Sequence, residues 1–166
     1  MPTPPFILQL REKIGHAPLW LTGITAVVVR PGPTGVDEVL LVKRVDNGLW
    51  TPVGGIVEPG EHPADTALRE VYEETAVTAR IVRLAWVTVL PPVTYANGDQ
   101  TQYVSLVFRC AWVSGTPRVN DDESTQVRFC PVDQLPAMPW RFNQAVRIAL
   151  EDRPDTSLEP AIDQAS

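Results

Sequence analysis

The stretch GGIVEPGEHPADTALREVYEETAV, residues 54–77, decides how the rest of the chain is read. A glycine pair is followed by Glu58 and Glu61, then by Arg69-Glu70 and, two residues on, by Glu73-Glu74. At about 100° per residue, a helix over 62–75 places Ala64, Ala67, Leu68 and Val71 on one apolar stripe suited to docking on a sheet. Glu70, Glu73 and Glu74 gather on a different face. Like charges one turn apart repel by about a few tenths of a kcal/mol per pair. A hard divalent cation with oxygen ligands is the usual partner of such a cluster.

Glu73-Glu74 alone would fit a solvated acidic helix behind a Gly-Pro loop. The spacing of the whole segment is far more specific. Gly55, Glu61, Arg69-Glu70-Val71, Glu73-Glu74 and Ala76-Val77 stand at the intervals of the Nudix box, and the chain resembles the Nudix hydrolase family. One position departs, since the family usually has glycine where Ala76 stands. Glycine there suits a helix that ends in a left-handed conformation, which costs a residue with a Cβ about 1 kcal/mol. The resemblance implies an α+β fold, a Nudix-like α/β/α sandwich with a mixed β-sheet between helices. It implies a Nudix domain over residues 21–152; outside it, periodicity gives an N-terminal extension with a short helix over 1–20, and composition a flexible tail over 153–166.

The same resemblance implies hydrolysis of a phosphoanhydride bond, by attack of water on phosphorus, in a nucleoside diphosphate linked to another group. The physical problem in such a site is charge, because the phosphates and the developing hydroxide are all negative. Mg²⁺, with Mn²⁺ as the other candidate, is therefore the implied cofactor. Carried over position by position, Glu70 and Glu74 bind metal directly, Glu73 binds a second ion or orients water, and the backbone carbonyl of Gly54 completes the metal set. Glu73 and Glu74 also count as catalytic. Arg69 is grouped with them as the cation that pairs with Glu61 or Glu58 and holds the loop on the helix. The general base is a box glutamate or a glutamate from a loop between late strands; Glu123 in the acidic run NDDES has that place, with Asp122 in competition.

Candidate substrate contacts are Arg44 at a strand end, Trp50 just before the glycines, and Tyr95. A large aromatic in the place of Trp50 is more often packed in the core. Pro92 and Tyr95, fifteen and eighteen residues past Val77, resemble the markers of the ADP-ribose pyrophosphatase and dinucleoside-polyphosphate branches respectively. ADP-ribose or a nucleotide sugar is favoured, ahead of a nucleoside triphosphate or dinucleoside polyphosphate. A regulatory domain that binds nucleotides without cutting them is the reading from another class, and the full complement of box acids speaks against it.

Around this segment the chain alternates β-rich runs with turn signals. Strands are predicted over 23–30 (GITAVVVR), 38–44 (EVLLVKR), 78–90, 101–112 and 126–130, and a closing helix over 140–150. Residues 101–112 are read as a strand with one buried face. A short helix is predicted over 6–14, with Ile7, Leu10 and Ile14 on one side, suited to capping the core or to a homodimer contact. A net charge of −6 argues against a nucleic-acid partner. The absence of a long apolar run or basic n-region argues for a cytoplasmic protein with no membrane contact. Cys110 and Cys130, both in apolar contexts, read as reduced core residues.

Overall fold

The computed structural model describes residues 3–162. In chain order it contains α1 (Pro5–Ile14), β1 (Leu19–Pro31), β2 (Asp37–Arg44), β3 (Trp50–Thr51), β4 (Val53–Ile56), α2 (Pro63–Thr75), β5 (Thr78–Val89), β6 (Val93–Thr94), β7 (Gln100–Ser114), β8 (Ser124–Pro131) and α3 (Trp140–Leu150). The eight strands form one mixed sheet with a β3-β2-β1-β7-β5 spine, on which β4 joins β1, β6 joins β7 and β8 joins β2. β1 and β7 run parallel, and the other pairs are antiparallel. β1 is shared along one edge: residues 23–26 pair with β4, and residues 29–31 pair with β2.

The apolar runs that read as strands are buried on both faces. Val27 and Val29 of β1 and Val39 and Leu41 of β2 pack with Ala145, Val146, Ile148 and Ala149 of α3. Their alternate neighbours Ile24, Ala26, Val28, Leu40 and Val42 pack with Ala67 and Val71 of α2. Each large side chain so buried contributes about 1.5–3 kcal/mol, and the two helices together explain why these strands are continuously apolar. The sandwich is therefore the one expected, with the sheet between α2 and α3.

β7 differs from the one-faced strand predicted for it. Ser105 and Val107 are buried on one face and Phe108 and Cys110 on the other, because β7 lies between β1 and β5 under both helices. Three short strands were not legible either. The glycine pair, read as part of a loop, lies inside β4 against β1, while Pro52 occupies the break between β3 and β4 where no ladder N–H is needed.

The segment after α3, expected to be flexible, is instead docked along β5 as far as residue 159. Ser157 is buried, its N–H donates to the Ala85 carbonyl at 2.9 Å, and the Val87 N–H donates to the Ser157 carbonyl at 3.0 Å. The Trp86 indole N–H reaches the Glu159 carbonyl at 2.7 Å. These bonds satisfy an edge that β5 would otherwise leave open. Residues 163–166 lie outside the described residues. At the other end, α1 is fixed by Arg11, which donates to the carbonyls of Ala17 and Gln100, and by His16, which bonds Asp99 at 2.8 Å. Ile7 is buried beneath it, whereas Leu10 and Ile14 are exposed.

α2 ends at Ala76 with φ 56° and ψ 22°, the one non-glycine residue with positive φ among the described residues. Its N–H closes the helix on the Tyr72 carbonyl at 2.9 Å. Ala76→Gly is expected to stabilise the protein by up to about 1 kcal/mol, the relief of left-handed strain exceeding the added chain entropy of glycine. Urea unfolding at fixed pH checks this; an unchanged or lower midpoint would refute it.

Candidate active site

His62 caps the N-terminus of α2, its Nδ1 accepting from the Ala64 N–H at 3.3 Å, and Pro63 opens the first turn. From this start the helix turns its acids two ways. Glu70 and Glu74 point inward and are only 2% and 6% exposed, while Glu73 faces solvent. The three do not share one surface stripe as the helical wheel alone suggested. The reason is contact with β4: a Cβ at Gly55 would fall 2.6 Å from Cγ, Cδ and Oε1 of Glu70. The missing side chain of Gly55 is the space that the Glu70 carboxyl fills. Gly55→Ala is accordingly expected to cost about 1–3 kcal/mol through overpacking and to weaken divalent-cation binding by displacing Glu70. Calorimetric titration with Mn²⁺ beside a thermal melt would measure both effects.

Arg69 forms a fork that ties the loop to the helix. Its Nε and Nη2 donate to the two Glu61 oxygens at 2.8 and 3.0 Å, and its Nη1 donates to Glu70 at 2.9 Å and Glu73 at 3.0 Å. A bidentate pair of this kind fixes direction as well as distance. The guanidinium holds the Glu61 carboxyl down at about 2. Glu61 in turn accepts from the Glu58 N–H at 3.4 Å. Among the described residues the side-chain bonds of Arg69 go to Glu61, Glu70 and Glu73, the pairing expected of a residue that holds the loop on the helix.

Burial biases both inward acids toward their neutral form. Burial pushes Glu70 up to about 7, outweighing the bond from Arg69. Burial pushes Glu74 up to about 8, with repulsion from Glu70 and Asp121 adding to it. Among the described residues no ion pair reaches Glu74. Two buried carboxyls one turn apart, with this shortage of neutralising charge, fit a divalent cation that keeps several waters. No group of three acidic, histidine or cysteine side chains is already closed around such an ion among the described residues. Gly54 stands next to Gly55 on β4 and lines the adjoining cavity.

The loop before β8 is stitched to the end of α2, whose last carbonyls need donors. The Asn120 side chain donates to the Tyr72 and Glu73 carbonyls, the Asn120 N–H to Glu74 O, and the Arg118 N–H to Thr75 O. This brings Asp121 and Glu123 to the acidic cleft, with Asp121 accepting from the Glu123 N–H at 3.1 Å. Asp122, the expected competitor, is exposed and lines neither cavity. Asp121 was missed, because nothing in NDDES distinguishes its three acids before the loop is placed.

Beside the acidic cleft lies a cavity of about 280 Å³ between the sheet and the start of α3, and Glu123 lines both. Tyr95 and Tyr103 share a hydroxyl hydrogen bond of 3.0 Å at its wall, and burial pushes the Tyr103 phenol up to about 12. Arg44 reaches the same space from the end of β2, paired with Asp46 at 2.9 and 2.6 Å. Arg44 and Tyr95 therefore come together as expected. Trp50 does not: it packs on the α3 side of the core with the Arg128 guanidinium 4.5 Å above its ring. Tyr103, Arg141 and Phe142 complete the cavity. They had no marker in the sequence, since each sits inside an ordinary strand or helix pattern.

Against known proteins, a family model for the NUDIX domain matches residues 21–151. The chain is 34% identical over 124 residues to a MutT-like protein of Streptomyces ambofaciens, covering 75% of this chain and 72% of that protein. It is 26% identical over 117 residues to a protein of Methanocaldococcus jannaschii named ADP-ribose pyrophosphatase, covering 67% and 64%. The crystal structure of an ADP-ribose pyrophosphatase from Streptococcus suis superposes with a TM-score of 0.62 at 20% identity, covering 84% of this chain and 96% of that one. At that identity the likeness concerns the fold.

Proposed function

The chain belongs to the Nudix hydrolase family and is a pyrophosphohydrolase, and we propose that it cuts a nucleoside diphosphate linked to a second group, ADP-ribose or a nucleotide sugar being favoured. The observation that carries this reading is the juxtaposition of the buried Glu70 and Glu74 pair with a cavity of mixed polarity large enough for one ring system. Relatives named ADP-ribose pyrophosphatase support the choice of substrate. A bound Mg²⁺ or Mn²⁺ would supply neutralisation of the phosphate oxygens and a more acidic water.

The chain's own groups divide the remaining work. Glu70 and Glu74, with the Gly54 carbonyl, would hold the cation, and Glu73 would hold a second ion or orient water. Arg69 keeps Glu61, Glu70 and Glu73 in register. Glu123, at the junction of cleft and cavity, is placed to take a proton from water. Arg44 faces the diphosphate. Nucleoside triphosphates and dinucleoside polyphosphates form the second reading, because a cavity of this size accepts a base as well as a sugar and Tyr95 stands in its wall. The proposed location is the cytoplasm; Cys110 and Cys130 are buried and unbridged, as suits a reducing compartment. Among the described residues no helix is long and apolar enough to cross a membrane.

The test is product release from ADP-ribose, nucleotide sugars, dinucleoside polyphosphates and nucleoside triphosphates, each with Mg²⁺ and with Mn²⁺. Metal-dependent turnover of the first two classes supports the reading. Turnover confined to triphosphates replaces it with the second, and ligand binding with no turnover replaces it with a regulatory domain.

A further inference from the structure

Arg141 enters the cavity from the first turn of α3, beside Phe142 and Ala145. Its guanidinium lies 4.6 Å above the Phe142 ring and within electrostatic range of Tyr95, Tyr103 and Arg44. Arg11, Arg30, Arg69, Arg147 and Arg153 each pair with a carboxylate, and Arg44 pairs with Asp46. Arg141 makes no such pair among the described residues; Arg80, Arg83, Arg109, Arg118 and Arg128 make none either, but none of those lines the cavity. Burial, and then repulsion from Arg44, push its pKa down.

Its position compounds the cost. A helix N-terminus carries partial positive charge and favours anions, yet the first turn of α3 holds no acidic residue and Pro139 provides no side-chain cap. Two guanidiniums and an uncapped helix end thus converge on one partly desolvated space, and an unneutralised cation there destabilises the fold. A ligand that brings negative charge relieves all three at once. A neutral ribose or hexose brings none. Arg44, Glu123 and Arg141 line one cavity, and Glu123 also lines the acidic cleft with Glu70. The proposed function places the diphosphate at Arg44, and Arg141 then faces what lies beyond.

We propose that Arg141 is a specificity-determining residue that receives a further anionic group of the substrate, a phosphate or carboxylate carried beyond the diphosphate. This deepens the proposed function, on which it rests for the placing of the diphosphate, and within that reading favours a nucleotide sugar acid or a triphosphate over ADP-ribose. A triphosphate and a nucleotide sugar acid share the required chemistry, and the two arms of the test separate them.

The test compares UDP-glucuronate with UDP-glucose, and ATP with ADP, for the wild type, Arg141→Gln and Arg141→Lys. Equilibrium binding is measured by calorimetry on the full chain without metal, and kcat/KM is measured with Mg²⁺. Wild type is expected to prefer the member with the extra charge by about tenfold or more in at least one arm, the worth of a charge-assisted contact. Arg141→Gln should abolish that preference, bringing the affinity for the more charged member down to that for the less charged one. Arg141→Lys should restore part of it. A response in the carboxylate arm names a sugar acid, and one in the phosphate arm names a polyphosphate. Equal affinity for both members in wild type, or a preference that survives in Arg141→Gln with an unchanged melting temperature, overturns the proposal. Charge-dependent binding without hydrolysis of any nucleotide would keep the anion site and reject the proposed function. Hydrolysis without charge preference would do the reverse.

Discussion

Glu74→Gln is expected to lower turnover by more than about a hundredfold, the loss of a metal ligand exceeding that of a supporting residue, and at the same time to raise the melting temperature of the metal-free protein above pH 8. The two effects have one cause. Glu74 is 6% exposed and its carboxyl is raised to about 8 by burial, Glu70 and Asp121. An amide of the same shape carries no charge to bury and removes the repulsion. In the loaded enzyme of the proposed function that same charge would hold the cation. Steady-state kinetics at saturating Mg²⁺ and melts in chelator measure the two halves. Near-normal turnover in the variant would remove Glu74 from the metal site, and a lower metal-free melting temperature at high pH would mean that its carboxylate is stabilised by contacts other than a cation.

The pH dependence of the metal-free protein should run opposite to that of a protein held by surface ion pairs. Glu70 and Glu74 stand at about 7 and about 8 in the folded state, against 4.5 as the ordinary value. The folded state therefore binds more protons than the unfolded chain between those limits. Stability from these groups is fully present below pH 4.5 and is lost as pH rises through 7 and 8. At about 1.4 kcal/mol per pKa unit the combined loss is of the order of several kcal/mol, an upper figure because the two sites interact. Glu61, held at about 2 by Arg69, acts the other way, its contribution being present above pH 4.5 and lost only as pH falls toward 2. Melts in chelator from pH 6 to 9 should show a falling midpoint, and added Mg²⁺ should restore it most at the alkaline end. A flat profile in chelator would show that neither carboxyl is neutral in the folded protein.

How much of this was legible in the chain can be judged from particular residues. α2 and its apolar stripe followed from periodicity, and Ala67 and Val71 are indeed fully buried. β1 and β2 followed from their β-branched runs. Their burial on two faces did not follow for β7, because Tyr103, Ser105 and Val107 look like a solvent face until α3 is laid over them. β3, β4 and β6 are too short to show a period of two, and the glycines of β4 carry no pattern. The tail after α3 has the composition of a free segment, yet its backbone satisfies the edge of β5.

The candidate site divides along the same line. The spacing of the box determined which acids are present and that they share one helix, and the family resemblance it carries implied a cation-dependent reaction on phosphates. Tertiary structure alone decided that Glu70 and Glu74 turn inward while Glu73 turns out, since that depends on Gly55 lying against α2. It alone selected Asp121 and Glu123 over Asp122, through the bonds from Asn120 to the end of α2. It alone excluded Trp50 and brought Arg141 to Arg44 across nearly a hundred residues of chain. Local periodicity records which side chains share a face of one element, whereas what that face meets is set by strand pairing and helix docking between segments far apart in the chain.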